Sequence, residues 1–123
     1  MKTSTVLKKA LKVLEGDGSR PAWTKGTMAR NKYRHEIRVT NPNAVKFCAY
    51  GAVGRVLNEN ANDAISNEFR SAESYLRSEV PIDSNFSYWG RSVDGFNDQD
   101  NTSFEDVRAL FKRAIKAAKH DGN

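Results

Sequence analysis

The stretch from Ala44 to Leu57 constrains this chain more than any other, because it is apolar on all but one side. Val45, Phe47, Cys48, Ala49, Ala52, Val53, Val56 and Leu57 are interrupted by only two charges, Lys46 and Arg55. A helix so apolar has to be buried against several neighbours at once. Asn41-Pro42-Asn43 just before it is a helix-start signal with asparagine available as a cap, which places the expected helix at 43–57. Gly51 and Gly54 each cost about 1 kcal/mol of helix propensity relative to alanine. Their presence makes sense where another element crosses closely.

Three further helices are expected to cover this central one. Residues 3–15 place Val6, Leu7, Ala10, Leu11, Val13 and Leu14 at helical spacing, with Lys8, Lys9 and Lys12 on the other side. Gly16-Asp17-Gly18-Ser19-Arg20-Pro21 ends that helix, and Trp23 follows as a loop aromatic that pins the connection to the core. Residues 62–79 turn Ile65, Phe69, Ala72 and Leu76 inward, with Tyr75 beside them, until Pro81 stops the helix. Residues 82–101 read as an irregular connection that Phe86, Tyr88, Trp89 and Phe96 pack down as a compact loop or short turn of helix. A last helix at 103–119 opens with capping-box spacing, either Thr102 with Glu105 or Ser103 with Asp106.

Residues 27–40 have a different period. Tyr33, His35, Ile37 and Val39 alternate with Arg34, Glu36 and Arg38, which is the signature of a half-buried strand. With Asn31-Lys32 as the turn and Met28-Ala29-Arg30 as partner, this segment is expected to be a small β-hairpin supported by the helices. The chain is 123 residues long, enough for one core, so the expectation is a single domain over 1–123. Its expected class is mainly α (α+β), about four helices with a small β-hairpin. Leu11, Phe47, Cys48, Val53, Phe69, Leu76, Leu110 and Phe111 are expected to be enclosed.

Charge and cysteine content narrow the functional classes. The net charge is +5, yet residues 1–40 carry ten Lys/Arg against Glu15, Asp17 and Glu36, so this third of the chain stands at +7 and the remainder at −2. Such asymmetry attracts an anionic partner, either nucleic acid or an acidic protein face. Cys48 is the only cysteine, which rules out an internal disulfide and a thiolate zinc cluster within the chain and fits a reducing compartment. No apolar run reaches the length of a spanning helix, and Lys8, Lys9 and Lys12 break any signal-peptide core. The expected location is the cytoplasm.

Several strings together resemble a known family. They are Trp23-Thr24-Lys25-Gly26-Thr27-Met28-Ala29-Arg30, Asn43-Ala44-Val45-Lys46-Phe47-Cys48-Ala49-Tyr50-Gly51-Ala52, Phe96-Asn97-Asp98, and the closing Thr102…Glu105-Asp106-Val107 with Ala114-Ile115. The chain resembles a family of small uncharacterised proteins of bacteria, prophages and bacteriophages, with Phe96 standing where members more often carry Trp. The resemblance implies a phage or prophage setting in a bacterial host cell and brings no known activity.

Chemical motifs are sparse. Cys48 with His35 as base and Asn97 or Asp98 as orienting acceptor would make a thiol nucleophile, but a cysteine inside an apolar helix is ordinarily a small buried hydrophobe. Asp94, Asp98, Asp100 and Glu105 lack calcium-loop spacing, since Phe96 occupies a ligand position and the central glycine is missing. His35 and His120 are too few for a histidine metal site. No metal or other cofactor and no catalytic residue is expected. Trp23, Phe47, Cys48, Gly51, Asn97 and Asp98 are read as structural.

The surface is more informative. Arg30, Lys32, Tyr33, Arg34 and Arg38 cluster in the hairpin, and Lys8 and Lys12 add charge from the first helix. Basic residues interleaved with an aromatic suit either phosphate contact and base stacking or an acidic protein face. No helix-turn-helix, zinc-finger or RNA-binding signature accompanies them. The expected function is therefore non-enzymatic: docking on a host protein or protein–nucleic-acid complex, as a counter-defence protein would. The alternatives are a direct DNA- or RNA-binding module and, third, a cysteine-dependent hydrolase.

Overall fold

Two antiparallel helices, α1 (Thr3–Glu15) and α5 (Phe104–His120), frame the molecule in the computed structural model, which describes residues 1–61, 63, 65–81 and 92–123. Between them in the chain come the short strands β1 (Ala29–Arg30) and β2 (Lys46–Phe47), then α2 (Ala49–Leu57), α3 (Asn67–Glu79) and α4 (Val93–Asp98). The fold is α+β: five helices and one two-stranded antiparallel sheet among the described residues, with Ala29 opposite Phe47 and Arg30 opposite Lys46. None of these helices is long and apolar enough to cross a membrane.

The core forms where the helical stripes meet. Leu7, Ala10 and Leu14 of α1, Ala52 and Val53 of α2, Phe69 and Leu76 of α3, and Leu110, Phe111 and Ala114 of α5 are all buried in one cluster. All eight residues expected to be enclosed are buried, Cys48 among them. Each fully buried Leu or Phe contributes roughly 1.5–3 kcal/mol. α1 spans the expected residues, and α5 begins with a reciprocal capping box of Ser103 and Asp106, the second of the two pairings the spacing allowed. α3 starts later than expected, at Asn67, because Ser66 caps it by accepting from the Phe69 amide at 3.1 Å.

Two further expectations need correction. The central helix begins at Ala49 instead of residue 43, since Cys48 is extended and acts as its cap. Asn41-Pro42-Asn43 forms a local turn, with Asn41 Oδ1 accepting from the Asn43 amide at 2.8 Å. Lys46–Phe47 is strand because extended chain flanks it on both sides: Phe47 exchanges backbone hydrogen bonds with Ala22 and Thr24 while pairing with β1. Apolarity alone does not separate helix from strand in such a run.

Second, the hairpin at 27–40 survives as one antiparallel bridge, Arg30 to Glu36, with the Ile37 amide donating to Ala29 at 3.1 Å. The lasting partner of β1 is β2. Val93–Asp98, capped by Ser92, is the short turn of helix that the aromatic-pinned connection allowed. Phe86, Tyr88 and Trp89 lie outside the described residues.

Gly51 and Gly54 mark close crossings, as their place in an apolar helix suggested. A Cβ on Gly51 would stand 1.9 Å from the Met28 carbonyl oxygen, and one on Gly54 would stand 2.4 Å from that of Glu59. The chain just before β1 thus passes directly over α2, which fixes where the following turn emerges.

Candidate functional site

The turn after β1 is built by one side chain. Asn31 Oδ1 accepts from the amides of both Tyr33, at 2.9 Å, and His35, at 3.1 Å. The Asn31 backbone amide donates to the His35 carbonyl, and the Arg34 amide donates to the Asn31 carbonyl, both at 3.0 Å. An asparagine that holds its own following backbone in this way makes a tight, rigid turn. Arg34 takes a left-handed backbone, φ 69°, which is costly for a side chain this large.

Arg30 braces the turn from beneath. Its guanidinium donates to Thr24 Oγ1 at 3.0 Å, to the Lys25 carbonyl at 3.1 Å and to the Arg34 carbonyl at 3.0 Å. This cation expected at a partner is committed to its own chain. Arg55 and Asn60 brace the far side of the loop: Arg55 donates to the carbonyls of Val39 and Asn41, and Asn60 Oδ1 accepts from the Val39 amide. The sequence marked Arg55 only as a charge on an apolar helix.

Lys32, Tyr33, Arg34 and His35 are held outward. Tyr33 is 66% exposed, with the Lys32 ammonium 5.1 Å from its ring centre and the His35 ring 6.4 Å away. Val45 is 45% exposed, and these two are the large exposed hydrophobics of the described chain apart from Met1. Both line one groove of about 390 Å³ with Asn31, Lys32, Pro42 and Asn43. Sequence reading found Tyr33 and missed Val45, which periodicity had assigned to a buried helix.

The other expected contact residues lie elsewhere. Arg38 is paired with Asp63 at 2.8 Å, both side chains being exposed. Lys8 faces Lys119 of α5, and Lys12 lines a groove with Glu15, Arg20 and Arg108. Their neighbours come from α5 and the loop after α1, not from the turn.

The motif residues form the joint behind the turn. Asn97 is 1% exposed; its Oδ1 accepts from the Trp23 indole at 2.7 Å and from the Ala49 amide at 3.1 Å, while Nδ2 donates to the Thr24 carbonyl and to Asp98 Oδ1. Asp98 Oδ1 also accepts from the Gly26 amide at 2.9 Å. Lys25 Nζ donates to the Gln99 carbonyl at 2.6 Å. Trp23 packs its ring 6.1 Å from that of Phe104. One buried amide thereby ties the 23–26 segment, the start of α2 and α4 into a unit.

Cys48 occupies the same joint. Its sulfur accepts from the Gly51 amide at 3.3 Å, and its S–H donates to Met28 Sδ at 3.6 Å. Two effects oppose each other at the thiol. Burial pushes its pKa up and Asp94 and Asp98 add to that, whereas the Gly51 N–H at the helix start pulls it down; burial dominates, and the pKa rises to about 12. A thiol so protonated is a poor nucleophile. The imagined base, His35, stands on the turn against Tyr33, and the Cys48 thiol has Met28 for its partner. Glu36, Asp94, Asp98 and Cys48 share the lining of a shallow cleft of about 280 Å³ with Gly26, Thr27 and Met28. No cluster of three or more metal-ligating side chains occurs among the described residues.

The model of a protein family described as Family of unknown function (DUF6197) matches residues 1–117, so the chain belongs to that family. No curated protein matches it. No solved structure does either.

Proposed function

We propose that this DUF6197 chain is a non-enzymatic docking protein whose Lys32-Tyr33-Arg34 turn engages an acidic, partly apolar surface of a host protein or protein–nucleic-acid complex. The observation that carries this reading is the turn itself. An exposed aromatic, flanked by two cations and sharing a groove with an exposed valine, sits on a backbone fixed by Asn31 and Arg30. Aromatic and arginine anchors dominate protein interfaces, and preorganisation lowers the entropy lost on binding. The neighbouring cations add steering toward a negative face.

The finer reading is a phage or prophage protein that inhibits or redirects host machinery, of the counter-defence type, acting in the cytoplasm of the bacterial host. It is supported by the resemblance of the Trp23–Arg30, Asn43–Ala52 and Phe96–Asp98 strings to small proteins of phages and prophages. The test is affinity purification from a bacterial host with wild type, Tyr33→Ala and Arg34→Glu baits, then binding of the purified partner. A partner held by wild type and lost from both variants supports docking through the turn. A partner captured equally by all three would place the interface elsewhere.

A further inference from the structure

A second charged surface lies apart from the turn, along the seam between α1 and α5. The Ser4 amide donates to the Asn123 carbonyl at 2.9 Å, Lys8 neighbours Lys119, and Glu15 pairs with Arg108 at 3.3 Å, so the two helices run antiparallel side by side. Lys8 and Lys12 are four residues apart on α1, and Arg108, Lys112, Lys116 and Lys119 recur three and four apart on α5. Residues so spaced share one helix face. Arg108 is already neutralised by Glu15 and by Glu105, the latter at 2.7 Å. The five lysines are exposed, and none forms an ion pair among the described residues.

Lys119 stands close enough to Lys8 to lower its pKa, since two neighbouring ammonium groups repel. Two ammonium groups held together with no acid between them gain from any anion that inserts. The ridge also carries no exposed large hydrophobic: among the described residues these are Met1, Tyr33 and Val45. A stable protein interface needs an apolar anchor at its centre, whereas phosphate-backbone binding needs only cations.

We infer that the Lys8, Lys12, Lys112, Lys116 and Lys119 ridge binds the sugar–phosphate backbone of nucleic acid without regard to sequence. With a rise of about 1.5 Å per residue, Lys112 to Lys119 spans about 10 Å, the reach of about three phosphates of one duplex strand. The ridge contacts backbone only, since it offers neither an aromatic for stacking nor a helix end aimed at base edges. This surface is separate from the docking turn, and either can fail without the other.

The experiment is fluorescence anisotropy of purified full-length protein with labelled duplex and single-stranded DNA of random sequence, titrated across salt. The expected result is binding at low salt to every sequence alike, with log affinity falling against log salt at a slope of about −2 to −4. Lys12→Glu with Lys116→Glu should weaken binding at least about tenfold on all probes while leaving the circular-dichroism melt unchanged. Tyr33→Ala with Arg34→Glu should leave DNA binding as it is, which separates this surface from the turn. Absence of binding at low salt, indifference to the lysine reversals, dependence on the turn variants instead, or equal competition by polyglutamate would each overturn the assignment.

Discussion

The indole N–H of Trp23 donates to Oδ1 of Asn97 at 2.7 Å across 74 positions of sequence, and the same oxygen accepts from the first amide of α2. A loop aromatic, the start of the central helix and the end of α4 are therefore held by one buried carboxamide. This amide uses all of its hydrogen-bonding directions, because Nδ2 donates to Thr24 and to Asp98. The turn at Asn31–His35 is borne by chain that this joint anchors, which makes the joint a support for the proposed docking surface.

Removing the Asn97 side chain strands several buried partners together. Each unsatisfied buried group costs about 1–3 kcal/mol, so Asn97→Ala should destabilise by about 2–4 kcal/mol in urea unfolding. Asn97→Asp keeps both acceptor bonds but loses both donors and sets a carboxylate against Asp98, so it should destabilise too. A cycle with Trp23→Phe should show strong coupling. An Asn97→Asp variant as stable as wild type would mean that the amide protons carry nothing.

Gly51→Ala should be among the most damaging single changes. Alanine ordinarily gains about 1 kcal/mol over glycine in a helix. Here the added Cβ would fall 1.9 Å from the Met28 carbonyl, which is backbone and cannot swing aside. The collision should outweigh the propensity gain by about 3 kcal/mol or more, read as a lowered urea midpoint. An unchanged or raised midpoint would show that the 26–28 segment can lift away from α2.

Cys48 should be dispensable for binding. Serine keeps an acceptor for the Gly51 amide, while alanine loses it and leaves a small void beside Met28; the alanine cost should be about 1–2 kcal/mol. Partner capture should survive both changes. With the thiol pKa near 12, alkylation of folded protein at neutral pH should be far slower than of denatured protein. Lost function at an unchanged melting temperature would favour the nucleophile reading instead.

Asp94 carries a pH dependence whose sign follows from its surroundings. Burial raises its pKa above the ordinary value of 3.8, and the charges of Asp98 and Glu73 raise it further. A carboxylate with a raised folded pKa costs stability once ionised, and that cost is relieved as pH falls through the raised value. Asp94→Asn should therefore raise the melting temperature at pH 7, with the advantage shrinking on acidification and gone below the ordinary aspartate pKa. An advantage that stays constant with pH would have another origin than charge.

The helices were legible because their apolar stripes are long: α1 and α5 follow from Leu7, Leu11 and Leu14 and from Val107, Leu110 and Phe111 alone. Phe47 shows where reading failed. Its apolar neighbours fit helix and strand equally, and what decided was pairing with residues 22–24 and 29–30, which local sequence does not encode. The same long-range choice exposed Val45 and turned a hairpin into an asparagine-built turn. Lys32, Tyr33 and Arg34 were visible as a basic–aromatic cluster. Arg30 looked equivalent to them, and only the three carbonyl and hydroxyl acceptors around it set it apart.

Arg34 offers a way to separate the shape of the proposed docking turn from its charge. Its left-handed backbone, φ 69°, is strained for arginine and natural for glycine. Glycine also raises the entropy of the unfolded chain, so Arg34→Gly should change stability by no more than about 1 kcal/mol in either direction. The turn should persist, because its hydrogen bonds run through the Asn31 side chain and the backbone of residues 31 to 35. Partner capture should nevertheless drop sharply, since the guanidinium is gone. Asn31→Ala makes the complementary case: the charges remain, but Tyr33 and His35 lose their shared acceptor and the turn loosens. Its effect should fall on the association step, recovered in part when the variant is supplied at higher concentration. If Arg34→Gly binds the partner as well as wild type while Asn31→Ala does not, shape alone recognises the partner, and the basic character of the turn serves only to steer it.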